Sequence, residues 1–558
     1  MRRLAGLAFV GLLPVSANAG VIVLNQQGYT PEAVKEVLIV HAPKPDGALR
    51  VLDLSSGKPL MRLEAHAAAR DPWADQPVWR LDVSALKSGR YRIEGAGMRS
   101  PVLHVAHDVY RPLLRLLLRS YYLQRCGQAV ADRETGLGHA ACHQRDGRIA
   151  HADRWHAAGT RVDAHGGWHD AGDFGKYIAT ASVTVARLLD AFEQDARLRG
   201  DGWLHIPESG NGLPDMLDEI AVELDWMLRM QRPDGAVYRK LSGKRWPPHG
   251  SPVGDRQPRF LFAPASSDTA KFAAAMAMAA RIYLPFDHAR AARYRHAALA
   301  AWDSLLGIKK QEVAWHEGDD SGSGKYLYSA IDNEETLRTD QDDRFWAAVE
   351  LFRLTGEARF ARAIRRYAPA VRYTYFGWKN PAPLGVVHYL MLSDVDHALA
   401  ARLRRLLLAR ASSLLQRSRD NPYGLADTRF IWGSNKVAAE HGNTLLAAYR
   451  LSGNRDYLTA AQWQADFLLG RNPFGRSFVT GVGEVSVRHP HMRWAEHAPG
   501  FLVGGPNQGA QDGVAPRGRG VYSYADDARS YATNEPAIDY NAALIGLLSG
   551  LSLHAGGG

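Results

Sequence analysis

The chain is poor in cysteine: Cys126 and Cys142 are its only two in 558 residues. That excludes the disulfide framework of small secreted domains. Apolar runs long enough to span a bilayer, about 20 residues, are also missing. The run Leu4–Leu13 is too short for a stable span. Dense Lys/Arg runs with interleaved aromatics are absent as well, although the net charge is +10. The basic balance therefore reads as a generally basic surface, not as a nucleic-acid site. Weak attraction to acidic polysaccharide stays open.

What is present at the N-terminus reads as an export segment. Arg2 and Arg3 form the basic region, Leu4–Leu13 the apolar core, and Ala17-Asn18-Ala19 the cleavage site. The mature chain is expected to begin near Gly20, to be secreted or periplasmic, and to act as a monomer away from membranes and nucleic acid. In an exported chain, Cys126 and Cys142 have one disulfide as their default.

Residues 20–107 read as short strands broken by turns. Val21–Leu24, Val37–Val40, Leu49–Leu54, Val78–Val83, Tyr91–Ile93 and Val102–Val105 alternate or run apolar. This spacing predicts an all-β sandwich. From residue 108 the texture turns helical. Leu213, Met216, Leu217, Ile220, Leu224, Met227 and Leu228 follow one helix face. Similar segments lie near 113–130, 176–194, 269–283, 290–306, 343–355, 358–371, 396–416, 437–451, 455–469 and 537–553. A second, all-α domain over 108–558 is expected. Its long loops, 240–260, 315–335 and 472–535, are where function is expected.

Two acidic stretches stand out. Gly166–Tyr177 holds Asp170 and Asp173 among four glycines, directly before an apolar helical run. Glycine allows the tight turns that aim two acids at one point; plain helix capping is the alternative. Near the C-terminus, Glu535 sits among Tyr531, Pro536, Ile538 and Tyr540. Such surroundings raise a carboxyl pKa by desolvation. One protonated and one ionised carboxyl make up the basic kit of glycoside hydrolysis.

Both stretches resemble glycoside hydrolase family nine, the cellulase family. The pattern aromatic-x-Asp-x4-aromatic-x3-Glu-x-small-x3-Asn-small is met at Tyr524, Asp526, Tyr531, Glu535, Ala537, Asn541 and Ala542. A second signature covers Ser477–Arg493 and departs at Val485, where the family usually has Asn, Lys or Arg. The blocks 206–215, 432–435, 469–473 and 502–507 also look like family blocks, and 21–29 resembles the immunoglobulin-like module that precedes many family barrels.

The resemblance implies an immunoglobulin-like β-sandwich followed by an (α/α)6 barrel. It implies Glu535 as general acid, Asp173 as base, and Asp170 as a holder of the water. Asp526 would be structural or would tune Glu535. His491 and Arg493 would bind the sugar beside the cut, and Trp168, Trp432, Tyr524 and Tyr531 would stack on sugar faces. The activity implied is inverting endo-β-1,4-glucan hydrolysis. An exo-acting β-glucosidase or β-glucosaminidase and a non-catalytic glycan binder are the rivals.

Cys126, Cys142, His143 and His169 suit a closed, structural zinc site, with His165 as the substitute for His169. A Cys126–Cys142 disulfide competes with it. Glu208, Asn211 and Asp215 offer hard oxygen ligands for calcium, against helix capping. Asp340, Asp342 and Asp343 are a weaker calcium candidate, against an acidic helix start.

Overall fold

The computed structural model of the protein describes residues 20–308 and 339–554. The expected export segment and the expected loop at 315–335 lie outside the described residues.

The N-terminal strands make two antiparallel sheets. One runs Val21–Val23, Glu36–Val40, Trp79–Asp82, His66–Ala67 in spatial order. The other runs Pro59–Leu63, Leu49–Asp53, Gly89–Gly95, Met98–Arg99, with Leu103–Val105 also paired to Gly89–Gly95. Ile22 faces Ile39 across the first sheet, and Val51 faces Ile93 across the second. Ile22, Ile39, Leu81, Val51 and Ile93 meet in one buried core. The sandwich expected from alternation is present. The strand Pro59–Leu63 is not legible in that pattern: four of its five residues are exposed or half-buried, and it opens on proline, as an edge strand can.

The second domain alternates outer and inner helices. The inner ones are Ile178–Gln194, Ser266–Tyr283, Gln341–Thr355, Ala382–Leu390, Ser434–Ser452 and Ile538–Leu553. The first three pack side by side in that order, Gln341–Thr355 packs on Ala382–Leu390, and Ile538–Leu553 packs between Ser434–Ser452 and Ile178–Gln194. Ser266–Tyr283 is buried almost all round and rich in alanine, which allows close approach. A helix buried on all sides has no polar face to lose. The outer helices are amphipathic: Ala358–Tyr367 turns Phe360 and Ile364 inward. This is the (α/α)6 barrel. Each inner helix begins at the end of the barrel that carries the long connections, so six helix N-termini open there.

Two features differ from the sequence expectation. Ala382–Leu390 is a helix that the periodicity left unread, because its nine residues give barely two turns and Pro383 stands in the first. The segment 240–260 is not an open loop: Tyr238–Gly243 and Arg259–Pro264 pair as a hairpin, joined by Arg148–Ile149 and Lys176–Tyr177 in a four-stranded sheet. Tyr238–Gly243 is buried throughout yet carries Arg239 and Lys240, so no apolar alternation betrays it.

The sandwich is tied to the barrel by polar contacts. Tyr423 and Tyr522 both donate their hydroxyls to Asp71 Oδ2, at 2.6 and 2.7 Å. Asn25 donates to Asp466 Oδ1 at 2.9 Å. Asp71→Ala should leave two hydroxyls unpartnered and lower stability by about 2–4 kcal/mol. Urea unfolding measures it; a loss under about 0.5 kcal/mol, the surface-mutation range, would mean the contact holds nothing.

Candidate active site

Asp170 and Asp173 sit on the turn that leads into Ile178–Gln194. Asp170 N–H donates to the Gly175 carbonyl at 2.9 Å, closing the turn. Asp173 is 8% exposed. Its Oδ1 accepts from Gly175 N–H at 3.1 Å and its Oδ2 from the Tyr177 hydroxyl at 2.8 Å. Asp170 Oδ1 accepts from the Thr180 hydroxyl. Burial first, and Asp539 next, push the Asp170 carboxyl up.

Glu535 comes from the far end of the chain, just before the helix Ile538–Leu553. The two loops are stitched together: Ile538 N–H donates to the Asp170 carbonyl at 2.9 Å. Gly172 N–H donates to Glu535 Oε1 at 3.2 Å. A Cβ on Gly172 would lie 2.6 Å from the His491 carbonyl oxygen, so only glycine fits. Burial, then the nearby Asp173, push the Glu535 carboxyl up to about 8. One carboxyl thus holds its proton at neutral pH beside another held by two donors.

The remaining expected residues divide. Arg493 reaches the centre: its Nη1 donates to the Gly172 carbonyl at 2.7 Å. His491 Nδ1 donates to the Ala528 carbonyl at 2.6 Å. A carbonyl can only accept, so Nδ1 carries the proton and Nε2 is left as an acceptor. Burial lowers the His491 pKa, which favours the neutral ring. Trp432 and Tyr531 are 37% and 40% exposed, with ring centroids 5.9 Å apart. The pair is available for stacking.

Trp168 and Tyr524 are not. Trp168 is fully buried and donates its indole N–H to Glu219 at 2.8 Å. Tyr524 is buried and donates its hydroxyl to Asn534 at 2.7 Å. Both expectations of sugar stacking are corrected: these rings are core. Asp526 pairs with Arg476 and accepts from His489 N–H at 2.9 Å. It fastens the loop that leads to His491, a structural role.

Sequence reasoning missed several residues. Tyr177 closes the very stretch that carries Asp173, yet no motif marks its hydroxyl. Lys436 lies 3.3 Å from Asp539, the carboxylate that acts on Asp170. Trp246 is 55% exposed and lies over the Arg493 guanidinium, 6.0 Å from its ring centroid. Its loop is pinned by Arg493 Nε on the Pro247 carbonyl, at 2.9 Å, and by Gly250 N–H on the Arg493 carbonyl, at 2.8 Å. The length of the 240–260 segment was the signal for it.

Residues 110–548 match the family model of glycosyl hydrolase family 9, and residues 17–100 match that of the cellulase N-terminal ig-like domain. The chain belongs to glycosyl hydrolase family 9. It is 33% identical over 552 residues to a xyloglucan-specific endo-beta-1,4-glucanase of Bacteroides ovatus, covering 95% of this chain and 93% of that protein. The crystal structure of a metagenome-derived family 9 endoglucanase superposes with a TM-score of 0.89 at 41% identity, covering 96% of this chain and 99% of that one. A Zn-binding triple mutant of another family 9 endoglucanase superposes with a TM-score of 0.88 at 36% identity, covering 94% and 99%.

In this family 9 chain, Cys126, Cys142, His143 and His169 form one cluster whose ligand atoms all lie within 4.8 Å of one another. Both thiols are free, so the competing disulfide is not formed. Cys126 Sγ lies 3.7 Å from His143 Nδ1, Cys142 Sγ 3.9 Å from His169 Nε2, and the two imidazole nitrogens 3.4 Å apart. Tetrahedral zinc with ordinary bond lengths sets such edges at roughly 3.3–3.8 Å. The donor set fits the ion. His143 Nε2 faces Asp255 at 3.4 Å, the outer carboxylate that orients a metal-binding imidazole. His165 stands outside the cluster, paired with Asp163 and Arg229.

The residues expected to hold calcium are engaged by the protein's own groups. Glu208 spends both oxygens on Arg125, each at 2.9 Å. Asp215 accepts from Gly202 and Leu204 N–H at 3.0 and 2.6 Å, and Asn211 from Leu213 N–H at 2.7 Å. These are loop latches. Asp340 pairs with Arg344 at 2.9 Å and Asp343 with Lys271 at 2.7 Å, so the protein's own cations neutralise two of the three acids. Burial and the neighbouring Asp343 push the Asp342 carboxyl up.

The Glu535 shift has a stability signature. A folded-state pKa above the unfolded value stabilises fully at low pH and stops doing so as pH rises through the folded value. Wild-type stability should therefore fall relative to Glu535→Gln between about pH 4.5 and about pH 8. Denaturant unfolding of both proteins across that range checks it; parallel curves would place the Glu535 pKa at an ordinary value.

Proposed function

We propose that this family 9 hydrolase is an exported, inverting endo-β-1,4-glucanase. One observation carries the reading: Glu535 is held in a site that keeps it protonated, while Asp173 is held as an acceptor by Tyr177 and Gly175 N–H. Glu535 gives its proton to the glycosidic oxygen as the bond from that oxygen to the anomeric carbon breaks. A water attacks the opposite face of that carbon and passes its proton to Asp173. Asp170 helps to orient the water, and His491 and Arg493 hold the sugar beside the cut. Exposed rings at Trp246 and at Trp432–Tyr531 offer more than one stacking surface. That favours a substrate of several sugars over a terminal one. Among the described residues no helix is long and apolar enough to cross a membrane; export rests on the segment Arg2–Ala19.

Zinc is proposed for the Cys126, Cys142, His143 and His169 cluster. When bound it supplies a fixed tetrahedral crosslink and no reaction step. His169 adjoins Asp170, so the crosslink would hold the turn that carries the acids.

The displacement is single, so a β-linked substrate should release an α-anomer first. NMR of the first product checks it, and a β-anomer appearing first would mean a double displacement and a different role for Asp173. Glu535→Gln should cut turnover of natural glucan about 10²- to 10⁴-fold, and less for substrates with good leaving groups. Asp173→Asn should fail on both. A product ladder from long cello-oligosaccharides is expected; release of glucose alone from one end would replace the endo reading with an exo one.

The purified protein should contain about one zinc per chain. Chelation should lower its unfolding midpoint, and re-addition of zinc should restore it. Metal analysis without zinc, with a Cys126–Cys142 bridge in a peptide map, would falsify the assignment.

A further inference from the structure

One flank of the barrel carries an unusual density of arginine. Arg362, Arg365 and Arg366 recur at the i, i+3, i+4 spacing on Ala358–Tyr367, and all three are exposed. The chain then runs through residues 368–374 alongside the helix His397–Asp420. Arg402 fixes that pairing: its two terminal nitrogens donate to the carbonyls of Ala368, at 2.9 Å, and Pro369, at 3.4 Å. Arg410, two turns on, donates to the Thr374 carbonyl at 3.2 Å. Exposed Arg372 also donates to the Pro369 carbonyl, at 3.4 Å. Arg405, one turn after Arg402, is exposed too. Seven guanidinium groups from three segments thus share one surface.

Little opposes them. Arg365 has Asp396 at 3.9 Å, a long contact. Arg362, Arg366 and Arg405 have no carboxylate partner among the described residues. Like charges at this density repel one another and keep a field above the surface. Nothing in the catalytic chemistry uses them, since the acids sit at the inner-helix N-termini.

We propose that this flank binds a carboxylated polysaccharide of the polygalacturonate kind. Arginine pairs with carboxylates through two parallel hydrogen bonds, and such a polymer offers one carboxylate per sugar. The flank lacks what other polyanions need. None of the exposed large apolar or aromatic side chains among the described residues falls in 358–374 or 397–420. A membrane surface is gripped by a buried apolar face as well as by charge. A single nucleic-acid strand is gripped by stacking rings. A hydrated acidic glycan needs neither. Docking there would hold the enzyme on a mixed matrix in which its neutral β-glucan lies beside acidic chains.

The test is native electrophoresis of the full chain through gels containing polygalacturonate. Wild type should be retarded, and salt should weaken the effect between about 0.05 and 0.3 M as the screening length contracts. The triple substitution Arg362→Glu, Arg366→Glu, Arg405→Glu should weaken binding tenfold or more. Its turnover of soluble cello-oligosaccharide and its unfolding midpoint should match wild type. If the triple variant does not fold, the Gln version of the same three positions replaces it, with the same loss expected. No retardation of wild type, or equal retardation of the variant, would overturn the proposal. So would tighter binding to phosphatidylglycerol vesicles or to DNA than to polygalacturonate. Turnover measured separately keeps a failed glucanase reading distinct from a failed docking site.

Discussion

The peptide unit of Gly172 is the point on which the site depends. Its N–H holds Glu535 and its carbonyl holds Arg493. One residue thus joins the turn of the two aspartates to Glu535 and to Arg493. The contact exists because the loops approach within the space that a methyl group would need. Any side chain there would push the acid from the base and the His491 loop from both.

Keeping a carboxyl protonated requires burial, and burial of acids is unfavourable unless the surroundings are fixed. The barrel supplies that rigidity. Glu535 and Asp173 lie just ahead of the inner helices Ile538–Leu553 and Ile178–Gln194, whose alternatives are few because they are packed all round. The two acids differ in their local donors. Asp173 has a hydroxyl and an N–H; Glu535 has a single N–H at 3.2 Å.

The chemistry was legible because it is written in short, dense stretches. Asp170, Asp173 and Glu535 announce themselves by glycines and by apolar neighbours. Most helices were legible by period to within a few residues; Ala382–Leu390 was not, and the segment expected near 113–130 ends at Leu123. Burial and partners were not, since they depend on chain segments far away. Trp168 looks like any sugar platform until Glu219, fifty-one positions on, is seen to take its indole N–H. Glu208 looks like a calcium ligand until Arg125 occupies it. The hairpin 238–264 was hidden because Tyr238–Gly243, though buried throughout, carries Arg239 and Lys240 side by side and shows no apolar alternation. The free thiols follow the same rule: Cys126 and Cys142 suggest a bridge until His143 and His169 are brought beside them.

The departure at Val485 shows how a family position can lose its side chain and keep its role. Val485 lies on the loop that leads to His491. Its N–H donates to Gln26 Oε1 at 2.9 Å, and its carbonyl accepts from Gln26 Nε2 at 3.0 Å. The side-chain amide of Gln26 thus pairs with this main chain as a neighbouring strand would. Gln26 Nε2 also reaches the Gly475 carbonyl at 3.0 Å. The next contact is alike: Glu484 accepts from Arg92 at 3.2 Å and from Val102 N–H at 2.8 Å. These donors belong to the β-sandwich, while Asp526 grips the same loop from the barrel side. A loop held through its backbone from two sides does not need an amide or a cation at position 485. The module therefore fixes the far end of the segment whose near end carries His491 and Arg493.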